Sequence, residues 1–185
     1  MAAVAAGSPA ALATEHRLTH LAPTLEEASR LATLESRRAR AANAAVFPLR
    51  ARPDWGESDA RFGASRGGRA HEGQDVFAPA GTPLVAIRAG RVVETGNDGG
   101  RGNYVAIWSS RVRRTYLYLH MQRPARHAPG DRVRAGQRVG AVGCTGSCWG
   151  DHLHFEIRVG RGTTGETLDP LPALRRLASR RGSRE

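Results

Sequence analysis

The sequence contains no lysine: all 28 of its basic residues are arginine. Both lysine codons are AT-rich and most arginine codons are GC-rich. The absence therefore reads as codon bias and gives the guanidinium groups no special role. The charge itself remains. Set against 17 acidic residues it leaves a formal net charge of +11, which implies an anionic partner: nucleic acid, acidic lipid or an anionic wall polymer. Zinc-finger spacing, a basic heptad region and an aromatic-rich RNA-binding signature are all missing, so no nucleic acid is expected. Long apolar runs are missing too. Nothing approaches the roughly 18 uninterrupted apolar residues of a spanning helix, so no transmembrane segment is expected. Cysteine is scarce, with only Cys144 and Cys148, four apart. Without a second pair nearby, C-x-x-x-C makes a poor zinc site. The pair is either two free thiols or a local disulfide. Gly143, Gly146 and Gly150 permit the tight turn that a disulfide needs, and a bridge would imply an oxidising compartment.

What is present suits one domain with a tail. Residues 1–13 are Ala-rich and end in Ala11-Leu12-Ala13, as a small-residue cleavage site does, although no basic residue precedes them. They are read as a weak signal segment, with the protein secreted or in the cell envelope. Residues 14–45 form a helical N-terminal segment. Its helix is predicted over 24–45, capped by Thr24, with Glu26 and Glu27 in the first turn and a modest stripe of Leu25, Ala28, Leu31 and Ala32.

From residue 46 the texture changes to Pro, Gly and short apolar runs, which places a mostly β, antiparallel domain over 46–172. Leu84–Ile87 and Arg91–Glu94 read as a hairpin around Ala89-Gly90. Tyr104–Trp108 and Thr115–Met121 read as strands separated by the polar Ser109–Arg114. Arg132–Val142 reads as two short strands around Ala135-Gly136. The Arg-rich residues 173–185 are a basic tail, expected to form one short helix, starting near Pro172, that frays.

The most informative segment is His152-Leu153-His154-Phe155-Glu156-Ile157-Arg158-Val159. Strict alternation predicts a half-buried strand with His152, His154, Glu156 and Arg158 on one face and the apolar residues in the core. Its two imidazoles stand about 7 Å apart along the strand, close enough to line one pocket without sharing an ion. In His71-Glu72-Gly73-Gln74-Asp75, Gly73 lets the backbone bend so that an imidazole nitrogen and a carboxylate oxygen converge on a cation such as Zn²⁺. In Tyr116-Leu117-Tyr118-Leu119-His120, alternation puts His120 on the same face as the two tyrosines. Taken singly, each motif has an ordinary structural explanation. Together they can supply three ligands and leave a fourth zinc position open, as catalytic sites do. The helical metalloprotease motif H-E-x-x-H is absent.

In this order the segments resemble the lysostaphin-type (LytM-like) zinc metallopeptidases over residues 58–160. The likeness rests on His71-x-x-x-Asp75, Tyr118-Leu119-His120 and Gly150-Asp151-His152-Leu153-His154-Phe155-Glu156, with Ala80-Gly81-Thr82-Pro83, Gly102-Asn103 and Ala135-Gly136-Gln137 as landmarks. The resemblance implies an open-barrel or sandwich-like antiparallel β fold. It implies one Zn²⁺ ion held by His71, Asp75 and His154, with His120 and His152 assisting a zinc-activated water. It further implies hydrolysis of cross-link or stem peptides in peptidoglycan. The alternative is a zinc-bearing wall-binding or regulatory module without activity. Asp151, where the family often has a small residue or Pro, is expected to alter the rim of the site.

Overall fold

A computed structural model describes residues 24–182, so the expected signal segment at 1–13 lies outside the described residues. The chain divides into two units, residues 1–35 and 36–185. Helix α1, Leu25–Asn43, crosses the division. Thr24 caps it as expected. The Glu27 amide donates to Thr24 Oγ1 at 3.2 Å, and the Thr24 amide donates back to Glu27 Oε2 at 2.9 Å. Leu25, Ala28, Leu31 and Ala32 are all exposed, so the modest stripe read from the sequence is not buried.

The second unit is built on strands β1 Gln74–Phe77, β2 Pro83–Val85, β3 Gly90–Asp98, β4 Gly102–Ser109, β5 Arg114–Met121, β6 Arg132–Val133, β7 Arg138–Ala141, β8 His152–Val159 and β9 Thr167–Leu168, closed by helix α2, Leu171–Gly182. The main sheet runs β1-β8-β5-β4-β3-β6, with β9 also on β8, and every pairing is antiparallel. It is a mostly β, antiparallel architecture, as the sequence indicated, and open as the family resemblance implied.

The expected hairpin of Leu84–Ile87 with Arg91–Glu94 does not form. β2 instead pairs with β7 in a separate two-stranded sheet, while β3 takes β4 and β6 as partners. Burial explains this: Leu84, Val85, Ala86 and Ile87 are all buried, so the run has no solvent face to present in a two-stranded hairpin. Its backbone is satisfied elsewhere, with Ala86 donating to the Gln137 carbonyl at 2.8 Å and Ile87 to the Tyr118 hydroxyl at 2.7 Å. The latter bond ties the small sheet to the main one. The two short strands expected within 132–142 both form, but they belong to different sheets.

Phe155, Tyr118, Leu153, Val76 and Leu49 form the centre of the main core, which faces one side of the main sheet. Leu174 of α2 joins them with no exposed surface, so the Arg-rich segment is anchored by its apolar positions. Among the described residues, no helix is long and apolar enough to cross a membrane.

Candidate metal centre

β8 occupies the middle of the site, between β5 and β1. Its apolar residues fill the core as predicted. Its polar face is buried too, because loops wall a cavity of about 600 Å³ over it. All four polar residues of the strand line that cavity.

The register sets Asp75 of β1 directly opposite His154 of β8. His71 reaches the same point from the segment before β1. The nearest ligand atoms lie at 2.8 Å for His154 Nδ1 to Asp75 Oδ1, 3.0 Å for His71 Nε2 to His154 Nδ1, and 3.2 Å for His71 Nε2 to Asp75 Oδ1. These three buried residues form a group that could hold a metal ion. Gly73 allows the approach by its size: a Cβ there would stand 2.7 Å from both His154 Nε2 and the Phe155 carbonyl oxygen. The chain does bend at Gly73, as the sequence reading has it, and packing adds a second reason for glycine there.

Each of the three ligand groups is fixed from behind by the chain itself. His71 Nδ1–H donates to the Arg61 carbonyl at 2.8 Å, so Nε2 is the nitrogen turned to the cluster. His154 Nε2–H donates to Glu156 Oε1 at 3.2 Å, which leaves Nδ1. Arg66 donates to Asp75 Oδ2 at 2.7 Å, which leaves Oδ1 facing the histidines. Such outer partners fix tautomer and orientation at metal sites. Glu156 is held in turn by Arg158 at 2.6 Å, and Arg158 by Glu72 at 2.9 Å.

Electrostatics agree with a cation at this point. Burial would raise the Asp75 carboxyl, yet hydrogen bonds from His154 and His71 hold it far below the usual carboxylate range. Burial likewise disfavours charge on His154, but Asp75 and Glu156 on its two nitrogens push it up to about 9. A pocket that draws a proton onto a buried imidazole is one that a divalent cation would satisfy. The mixed imidazole and carboxylate donors suit zinc.

The other two histidines stand on the rim. His152 keeps the face assigned to it, its Nδ1–H donating to the Gly150 carbonyl at 2.8 Å and its Nε2 standing 3.6 Å from Asp75 Oδ1. His120 does not keep its predicted face. Strict alternation would bury it beside Tyr116 and Tyr118 in the core. Instead the β4–β5 register slips between Asn103 and Val105, and His120 adopts a positive φ of 59°. This bulge turns its ring across the sheet to the cavity, with its centroid 4.9 Å from His152 and 5.7 Å from His154. Its Nδ1–H donates to the Thr145 carbonyl at 2.8 Å. Burial lowers both rim histidines, His120 to about 4, against partial opposition from Thr145 for His120 and from Asp75 for His152. Both are therefore neutral near pH 7, each with an unprotonated Nε2.

The structure carries the Cys144–Cys148 disulfide. The loop it closes brings Ser147 and Cys148 to the cavity rim, and the highly exposed Trp149 follows them there. Asp151, expected there, is not among the lining residues. Arg66 had no signal in the sequence beyond its place in a Gly-rich loop. Glu156 had one, since it continues the period-two face of His154.

An open antiparallel sheet that presents a His–Asp–His cluster defines a β-protein with a metal site. The model of peptidase family M23 matches residues 69–170, and the chain belongs to that family. It is 43% identical over 93 residues to the peptidoglycan DD-endopeptidase ShyC of Vibrio cholerae, which covers 49% of this chain and 21% of that protein. It is 37% identical over 109 residues to lysostaphin of Staphylococcus simulans, covering 58% and 22% respectively. The solved catalytic domain of the antimicrobial peptidase lysostaphin from the same organism superposes with a TM-score of 0.57 at 33% identity, over 62% of this chain and 89% of that one. The chain spans about a fifth of the length of the curated relatives it matches.

Proposed function

We propose that this protein is a zinc metalloendopeptidase that hydrolyses peptide bonds in peptidoglycan, in cross-links or stem peptides. The observation that carries the reading is the convergence of three fixed ligand atoms, with two neutral imidazoles on the rim of the same cavity. His71, Asp75 and His154 would hold one Zn²⁺, and His120 and His152 would be catalytic. Bound there, zinc supplies Lewis acidity, polarising a carbonyl and lowering the pKa of water to about 7. The chain's own residues do the rest. Neutral His152 and His120 each offer Nε2 to accept a proton and, once charged, to donate it to the leaving amine. Their backbone carbonyl partners hold each ring in that tautomer. Arg66 engages one oxygen of Asp75 and so reserves the other for the ion. Nothing in the site favours the non-catalytic alternative, since all five residues are present and assembled.

The name of the Vibrio cholerae relative supports peptidoglycan peptides as substrate, and the disulfide supports an oxidising setting, outside the cell or in its envelope. We place the peptidase domain from residue 46 and extend it past 172, because Leu174 is part of the core. Incubating the protein with purified peptidoglycan should lower its turbidity and release fragments whose masses report one peptide-bond cleavage. Intact walls after prolonged incubation of zinc-loaded protein would refute the proposal.

A further inference from the structure

The end of the main sheet opposite the histidines carries a second cavity, of about 860 Å³. Six arginines line it: Arg88, Arg91, Arg111, Arg132, Arg134 and Arg161. Trp108 is partly buried in its wall, and no acidic side chain is among the lining residues. They come from the start of β3, the turn after β4, β6 and the segments beside them, so the antiparallel sheet gathers at one end basic residues distant in sequence. β4 runs between the two cavities: Gly100 and Arg101, just before it, line the first, and Trp108 and Ser109, at its end, line the second. The length of that strand separates them by roughly 23 Å at about 3.3 Å per residue.

The register opposes like charges here. Arg91 on β3 is paired with Arg132 on β6 and flanked by Trp108 on β4. Like charges directly opposite one another destabilise a sheet. The adjacent carboxylate, Asp131, accepts from the Ala128 amide at 2.9 Å and is not among the lining residues. The Arg91 guanidinium donates to the Gly130 carbonyl, and an anion bound in the cleft would meet a lining with six arginines and no carboxylate.

We propose that this cleft binds a phosphodiester polyanion of the cell wall, a polyol-phosphate chain, and holds the protein on the wall while the histidine cavity stays open. The choice of a wall polymer rests on the peptidoglycan reading above. Guanidinium forks match phosphate oxygens in geometry as well as charge. Sites for single-stranded nucleic acid stack successive bases on several aromatic rings. This cleft offers Trp108 alone, which favours a polymer without bases.

Calorimetric titration of the full chain with synthetic poly(glycerol phosphate), across a range of salt, tests the proposal. Oligothymidylate of equal phosphate number and polyglutamate serve as competing probes. Arg91→Ser/Arg132→Ser/Arg134→Ser should weaken polyol-phosphate binding at least about tenfold at low salt and flatten the log–log salt slope by about 2, at roughly 0.7 per lost contact. Arg175→Ser/Arg176→Ser/Arg180→Ser, which removes equal charge from exposed positions of α2, should bind like the parent. Both variants should hydrolyse soluble stem-peptide fragments at the parental rate. Equal losses in the two triple variants would reduce the effect to diffuse charge and overturn the site. Tighter binding of oligothymidylate, or equal binding of polyglutamate, would overturn the occupant. If the parent cleaves no peptide yet binds the polymer in this cleft, the peptidase reading fails while the binding site stands.

Discussion

His120 faces His152 with ring centroids 4.9 Å apart, although an unbroken β5 would point it into the core on the other side of the sheet. The bulge that re-aims it needs a positive φ of 59°, a conformation that strains any residue with a Cβ. Such strain persists only where the surrounding structure holds it. His120→Gly should therefore be more stable than His120→Ala by about 1 kcal/mol, the reverse of the order in a regular strand. Thermal unfolding of the two variants checks this, and both should be equally inactive. Greater stability of the alanine variant would mean that the bulge is not held in solution.

Gly73 is constrained by space. Its neighbours leave no room for a methyl group, since His154 Nε2 and the Phe155 carbonyl each lie 2.7 Å from where a Cβ would stand. Gly73→Ala should push His154 off Glu156 and out of line with Asp75. A loss of about 1–3 kcal/mol in stability is expected, as for overpacked cores, together with weaker zinc binding in competition with a chelator. Parental zinc affinity in this variant would show that the strand shifts freely, contrary to the packing described.

The rim histidines fix the pH response. Burial depresses His120 to about 4 and lowers His152 as well, so Nε2 of each takes up its proton below the ordinary histidine value of 6.5. Protonation removes the acceptor, so the acid limb of kcat/KM should lie below the position that an ordinary histidine at 6.5 would set. Stability should fall over the same side. The unfolded histidine takes up a proton near 6.5 and the folded His120 near 4, so stability is lost as pH drops through that window and levels off beneath it. Zinc content measured at each pH separates this from loss of the ion. A tenfold drop in kcat/KM between about pH 7 and 6 with zinc retained would contradict the burial account.

Much of the site was legible because β8 obeys a strict period of two: alternation alone put His152, His154 and Glu156 on one face. Long-range register was not legible. Nothing local tells that Asp75 lies opposite His154, or that Arg66 reaches back to Asp75 Oδ2. The error over His120 came from the same rule that worked for β8, since one extra residue in a strand inverts every face beyond it. The false hairpin arose because Leu84–Ile87 is apolar throughout, and such a run does not reveal which partner covers it. The arginines of α2 masked the apolar positions that anchor it, Leu174 above all.

The division of labour between His154 and its neighbours two residues and one strand away is tested most directly by measuring zinc by atomic emission beside peptide hydrolysis in single alanine variants. His154→Ala removes one of three ligand groups and should lose both zinc and activity. His152→Ala and His120→Ala should retain zinc near one equivalent while turnover falls by roughly 10²–10⁴-fold, the usual worth of a positioned acid or base. The double rim variant should lose little more than either single one, as groups acting on one transition state do. Loss of the ion from His120→Ala, or retention of both zinc and rate in His154→Ala, would contradict the assignment.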